Sequence, residues 1–470
     1  MTAKEEKNMK NKYGELAYDN HKDLVFGHAL EPVEFENGMI IGDECVYPEI
    51  NFTLSGISEK EENIPKIKQQ YREITKKVLA RAADLKVPGL VVEIELLPEV
   101  TYNPDWGAEI VKEVKTVLQK RDSRQEFKSL LRVTPVDIRE DIKSPSMWSG
   151  THWDTLMEIF DKSAGLGADI LSIESIGGKN VNDEALMYCE IDKVLFAMGV
   201  LGIKDMSELW SSIVRIADKH KVIPAGDTAC AFANTAMVLS DKGMIPKVFS
   251  AVVRVMSAVR SMVALEEGAR GPHKDCGYEG VYIKAITGTP ISMEGSTSAV
   301  AHLSPVGNIA GCAADLWSNE SVQNIKLLGG MAPTISMEQL AYDCRLMNTA
   351  IGRGQKSMRE LRELFSESDK KLDPNAYVLD PEVVVKLSQK IIRKSTPYSR
   401  MLTAGLETIK ELRTAVDQKQ LTIEDKEKQW LDIMDQQLRN IPENKDLFIK
   451  QMIEKIESEK FKPEKYDLQV

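Results

Sequence analysis

ADILSIES, residues 168–175, runs apolar almost without interruption and then meets a carboxylate, Glu174. A strand of that texture is buried on both faces, as in a parallel sheet flanked by helices. The texture recurs in GLVVEIEL (89–96), SLLRVT (129–134), KVIPAG (221–226) and SMVALEE (261–267). Weaker versions lie from Met39 to Asp43, Leu195 to Leu201 and Pro290 to Glu294. Between these runs are longer stretches of helical period, such as Asn63 to Lys86 and Ala108 to Lys120. About eight strands in alternation with helices predict repeated βα units around a parallel sheet. A doubly wound sheet would alternate too, but its glycine-rich phosphate turn, GxGxxG or GxxxxGK[ST], does not occur. The expected fold class is therefore α/β: a TIM (βα)8 barrel with an N-terminal extension and C-terminal helical segments.

Past about residue 375 the texture changes to DPEVVVKLSQKIIRKS (380–395), YSRMLTAGLETIKELRTAVDQ (398–418) and KEKQWLDIMDQQLRN (426–440), which read as amphipathic helices. They either pack on the barrel exterior or form a dimer or partner surface. The expected organisation is an N-terminal extension over 1–60, a catalytic barrel over 61–375 and a C-terminal helical segment over 376–470.

The 470 residues include 61 basic and 72 acidic side chains, a net charge of −11, which argues against nucleic acid or an anionic membrane as main partner. At 43% hydrophobic and 28% charged, the chain has ample material for a core and is not broadly disordered. Six scattered cysteines without a CxxC pair suit reduced thiols or thiolate ligands, not a secreted disulfide scaffold. The charged N-terminus lacks the apolar core of a signal peptide. Val194 to Ile203 is about half the length of a membrane helix, and Lys247, Arg254 and Arg260 interrupt the next apolar stretch. A cytoplasmic location is expected.

In a parallel barrel the carboxyl ends of the strands face the active site. One apolar run ends at Glu174, a second leads to Asp227 and Cys230, and a third leads through Gly271 and Pro272 to Asp275 and Cys276. Two thiolates and one carboxylate make a three-ligand zinc site with a fourth position open, the arrangement of a catalytic zinc. Ordinary buried cysteines are the competing reading. Glu93 and Glu95 share one face of their strand by alternation and are candidate proton donors if that face looks into the barrel. Asp227 and Asp275 orient ligands or cap helices. His273 and His302 read as structural or solvated side chains, not ligands.

ILSIESIGGK (170–179), PAGDTACAFANTAM (224–237), GPHKDCGYE (271–279), KAITGTPISMEG (284–295), DLWSNES (315–321) and AYDCRLMNTA (341–350) closely resemble the methanol:corrinoid-protein methyltransferase family, MtaB. NPDWGAE (103–109) and LRVTPVDIRE (131–140) extend the likeness over about residues 30 to 375. The resemblance implies a TIM barrel holding zinc through one glutamate and two cysteines, which fall here on Glu174, Cys230 and Cys276. Ala229, Phe232 and His273 depart from the pattern only at spacer positions. The implied reaction moves the methyl group of methanol to the cob(I)amide of a separate corrinoid protein and releases water. Zinc supplies Lewis acidity to a poor leaving group, and Glu93 or Glu95 supplies the proton.

The corrinoid is expected from the partner protein, because the DxHxxG signature of corrinoid carriers is absent from this sequence. Trp317 in DLWSNES is the candidate contact for that protein, against a reading as core packing. A homodimer, or a heterotetramer with the corrinoid protein, follows from the resemblance, as does an anaerobic methylotrophic setting. Two other functions fit the same residues: the same chemistry on another small alcohol or methoxylated compound, and a non-catalytic scaffold for a corrinoid protein.

Overall fold

Eight parallel strands carry the architecture: β3 (Tyr47–Phe52), β4 (Gly89–Leu96), β5 (Lys128–Pro135), β6 (Ile170–Ile173), β7 (Ile223–Asp227), β8 (His273–Asp275), β9 (Ile291–Glu294) and β10 (Asn319–Lys326). They follow β1 (His28–Glu34) and β2 (Ile40–Asp43), an antiparallel hairpin. The computed structural model describes residues 12–52, 54, 60–122, 128–139, 146–294, 319–326, 332–457 and 461–468. In space the eight strands lie in the order β7-β6-β5-β4-β3-β10-β9-β8, so each neighbours its successor in the chain. The ends of that order meet. The N–H groups of Arg270 and Gly271, just ahead of β8, donate to the carbonyls of Pro224 and Ala225 in β7 at 2.8 and 3.0 Å. The sheet is a closed TIM barrel.

Alternation along each strand sorts the interior into layers. Val91, Leu130, Ile170 and Ile223 make the lowest layer, packed against Val33, Phe35, Met39 and Ile41 of the hairpin, which plugs the amino-terminal end of the barrel. Two residues further on come Glu93, Arg132 and Ser172, and two further still Glu95, Thr134 and Glu174, so polarity rises toward the carboxyl end. Outside, the helix Ile64–Asp84 shows why its sequence is helical: Ile64, Ile67, Tyr71, Ile74, Val78 and Ala82 recur at three and four residues and are its buried face. At Gly226 the backbone has φ of +120°, and a side-chain methyl would collide with the His273 ring, so glycine is required where β7 passes β8.

The C-terminal helices belong to the same core as the barrel. Asp373, Asp380 and Thr396, each followed by proline, cap the helices Pro374–Tyr377, Pro381–Ile392 and Pro397–Asp417 through their side chains. The last of these packs on the helix Lys247–Glu266, where buried Arg400 pairs with buried Glu266 at 2.6 Å. The Glu427 carboxylate, from the helix Asp425–Arg439, accepts hydrogen bonds from the Lys247 and Val248 N–H groups at 3.1 and 2.8 Å. It thereby serves as a remote cap for a helix whose own Pro246 has no polar side chain.

Several sequence expectations are corrected. SMVALEE (261–267) is the end of the helix Lys247–Glu266, not a strand. That helix is buried along nearly its whole length, and its polar residues Ser250, Arg254, Ser257 and Ser261, which recur at three and four residues, are buried with the apolar ones. It is long and apolar enough to cross a membrane, yet it lies wholly inside the protein. Leu195 to Leu201 is helical as well, and Met39 to Asp43 contributes the plug hairpin instead of the barrel wall. The boundary at residues 60 and 61 cuts the barrel, because its first strand, β3, spans Tyr47–Phe52.

Candidate metal centre

Glu174 follows β6, Cys230 lies three residues beyond β7, and Cys276 follows β8, all at the carboxyl end of the barrel. Their ligand atoms lie within 4.8 Å of one another. Cys276 Sγ is 3.5 Å from Glu174 Oε1. Cys276 is buried, whereas Glu174 and Cys230 are partly exposed, so the trio has a protein side and an open side. Two soft sulfurs and one hard oxygen at this spacing fit a zinc ion with a position left for another ligand.

Hydrogen bonds lock the three supporting loops to one another. Asp227 at the end of β7 accepts from the Ser175 N–H at 3.0 Å, from the Ser175 hydroxyl, and from the Thr228 N–H at 2.8 Å. Arg260, on the buried helix, donates to the Ser175 carbonyl at 3.1 Å and to its hydroxyl oxygen at 2.7 Å, and its guanidinium lies 4.3 Å from the centroid of the Phe232 ring. Burial pushes the Asp227 carboxyl up to about 6, against the opposing pull of Arg260 and the hydrogen bonds. The Asp227 side chain thus ties the Glu174 loop to the Cys230 loop, the orienting use rather than the capping one. The side chain of Asp275 is outside the described residues, as is Trp317.

Cys230 opens a single wide helical turn, Cys230–Asn234, which brings the Asn234 amide back over it. Its Nδ2 donates to Cys230 Sγ at 3.6 Å. Thr228 joins the two cysteine loops, since its Oγ1 accepts from the Cys276 N–H at 3.1 Å and lies 3.7 Å from Cys276 Sγ. Glu279 accepts from the Ala229 N–H at 2.5 Å and from the Ser261 hydroxyl at 2.8 Å, which pins the residue preceding Cys230.

The lysine of HKDC, Lys274, is fully buried and stands two residues before Cys276, hence on the same face of the strand. Its Nζ lies 2.9 Å from Glu93 Oε1, 2.5 Å from Glu95 Oε1 and 3.0 Å from Glu174 Oε1. Thr134 donates to Glu93 at 2.6 Å, and Asn51 Nδ2 donates to Glu95 at 2.8 Å. Both glutamates therefore face the interior, beside the metal candidate. Glu93 is fully buried, and burial raises its carboxyl to about 7; Lys274 and Arg132 oppose that rise while Glu95 and Glu49 add to it. For Lys274, burial works against the ammonium, but Glu93, Glu95, Glu174 and Cys276 together outweigh it and hold the pKa well above the ordinary lysine value.

His273 is buried, and neither ring nitrogen has a hydrogen-bond partner among the described residues. Burial lowers its pKa to about 4, so the ring is neutral at pH 7. It points away from the ligand trio's chemistry by alternation with Lys274, in line with the structural reading. Lys274, Thr228, Asn234, Arg260 and Glu279 were not anticipated as site residues. Two of them had a local mark: Lys274 alternates with Cys276, and Asn234 follows Cys230 by one turn.

The sequence profile of a family described as "Methanol-cobalamin methyltransferase B subunit", MtaB, matches residues 10–467. A methanol–corrinoid protein co-methyltransferase of Methanosarcina barkeri (strain Fusaro / DSM 804) is 37% identical over 465 residues, which span 97% of this chain and 99% of the relative. A chain in the crystal structure of the methanol:cobalamin methyltransferase complex MtaBC from Methanosarcina barkeri superposes with a TM-score of 0.90 at 35% identity, over 97% of this chain and 99% of that one.

Proposed function

Because this chain belongs to the methanol-cobalamin methyltransferase B subunit family, we propose that it transfers the methyl group of methanol to the corrinoid of a partner protein at a zinc ion held by Glu174, Cys230 and Cys276. One observation carries the zinc assignment: two thiols and a carboxyl, brought from three separate strand ends, converge within 4.8 Å at the catalytic end of the barrel. Bound there, zinc supplies Lewis-acid polarisation of the carbon–oxygen bond of methanol.

The residues of the chain do the rest. Glu174, Cys230 and Cys276 would hold the ion, and with all three ionised their charge would outweigh that of a divalent cation by one. Asp227, Thr228 and Glu279 tie the ligand loops to one another, which limits the reorganisation that binding would require. Glu93, with its carboxyl near 7, keeps a proton available at neutral pH, and Glu95, partly exposed on the same lysine, is the neighbouring carboxyl through which that proton reaches the mouth. The corrinoid protein covers the carboxyl end of the barrel, the side on which Glu174 and Cys230 are partly exposed. A cytoplasmic, oxygen-protected setting follows from thiolate ligands and a cobalt(I) acceptor.

Zinc quantitation, paired with methylation of added cob(I)alamin by methanol, tests the reading. About one zinc per chain and methanol-dependent methylation are expected. A metal-free chain with intact cysteines would support the scaffold reading instead, and faster turnover of ethanol or an aryl methyl ether would replace the substrate.

A further inference from the structure

Three carboxylates, two from β4 and one from the loop after β6, meet at a single buried ammonium, and one of the three is the candidate metal ligand. Building on the zinc reading, we propose that Lys274 is the positioning residue of the metal centre: its ammonium holds Oε1 of Glu174 in the conformation that points the carboxylate at Cys230 and Cys276, and it gathers Glu93 and Glu95 beside them. The geometry supports this at each end. Lys274 is on the strand that delivers Cys276, so the same backbone sets the height of a sulfur ligand and of the cation that fixes the oxygen ligand. Glu174 itself is a third exposed and is followed by a loop, so a free glutamate there would sample several rotamers. Its Oε1 lies 3.0 Å from the ammonium and 3.5 Å from Cys276 Sγ, which aims the carboxylate inward. A mere point charge at Lys274 would weaken cation binding by repulsion, whereas a positioning charge strengthens it by ordering the ligand, and this difference in sign is measurable.

The test uses the full chain, with Lys274→Met, Lys274→Arg and the double variant Lys274→Met/Glu93→Gln, which removes the buried ammonium together with the ionisable carboxyl it contacts and so protects the fold. Each protein is stripped of metal and titrated with cobalt(II) alone, with affinity read by chelator competition and ligand geometry read from the visible absorption. Expected in both methionine variants are a thiolate-to-cobalt charge-transfer band that persists, an altered ligand-field envelope, and binding weakened by about tenfold to a hundredfold, the usual loss when an outer partner of a metal ligand is removed. Lys274→Arg should recover part of the native envelope. A native envelope with unchanged or tighter binding in the double variant would overturn the proposal and leave Lys274 a spectator charge. If the unaltered chain showed no thiolate-to-cobalt band, the zinc reading itself would fall, and the proposal with it.

Discussion

Two ionic clusters lie one above the other inside the same barrel, and they are built on different accounts of charge. In the lower one, Arg132 and Glu49 are both fully buried and pair at 2.5 Å. The remaining capacity is used internally, since Arg132 also donates to Ser172 Oγ at 2.7 Å and to the Pro272 carbonyl at 3.0 Å, and Ser292 donates to Glu49 at 2.5 Å. One cation meets one anion. In the upper cluster a single ammonium faces three carboxylates, with two thiols close by, and the open side is toward solvent. A balanced, enclosed pair needs nothing further to be stable, whereas surplus buried acid must be offset by a proton or by another cation. Burial raises the Glu93 carboxyl, with smaller additions from Glu95 and Glu49, and the candidate metal ligands converge beside it. In this barrel the balanced pair is enclosed, and the unbalanced cluster lies beside the candidate metal ligands.

The comparison breaks most visibly if the upper cluster proves dispensable. Cys230→Ala and Cys276→Ala should each lose the metal and lower methyl transfer about a thousandfold, because a Lewis acid contributes several kcal/mol, about 4, to such a step. Urea unfolding of the metal-free variants should stay close to that of the metal-free parent. Full zinc and full turnover in both variants would remove the assignment.

In the lower cluster the order reverses. Arg132→Met strands Glu49 without its partner in the interior and should destabilise the barrel by about 3–5 kcal/mol, read from chemical denaturation. A smaller change, Ser292→Ala, removes one donor from the same carboxylate and should cost about 1.5–3 kcal/mol. If either variant unfolded like the parent, the pair would not be the closed structural element described.

The finest distinction is a slope. The Glu93 carboxyl titrates in the folded chain at about 7, above the 4.5 of an ordinary glutamate, so the folded state binds the extra proton. Its stabilising contribution is complete below about 4.5 and is lost as pH rises through about 7. Glu93→Gln cannot titrate, so metal-free Glu93→Gln should lack the part of the decline in stability that the parent shows between those values. Identical pH profiles for the two proteins would mean that burial does not raise the Glu93 carboxyl in the folded chain.

The barrel was legible in the sequence for a physical reason: strands buried on both faces read as near-continuous apolar runs, and two of those runs end at or lead to candidate ligands, Glu174 and Cys230. The reading failed where burial took another form. SMVALEE is apolar because its helix is enclosed, and a short apolar run looks the same in either state. β8, the strand that presents Cys276, is only His273–Asp275, three polar residues with no hydrophobic trace. β3 carries Glu49 and Asn51 into the interior, and so did not resemble a core strand. Lys274 stayed hidden because an isolated lysine ordinarily reads as surface, and its partner Glu95 is 179 residues away in the chain. Distant charge pairing leaves no local periodicity.

The helix Lys247–Glu266 also imposes an order on how the protein is made. As it leaves the ribosome it is a twenty-residue segment with the hydropathy of a membrane span. The carboxylate that caps its first turn, Glu427, is synthesised 180 residues after Lys247, and the helix that covers it, Pro397–Asp417, comes late as well. From residue 266 until residue 397 is made, this apolar helix is therefore present without its lid. A chain stopped short of residue 397 would retain all three candidate metal ligands and still leave that helix bare on one side, an exposed apolar face of the kind that promotes aggregation.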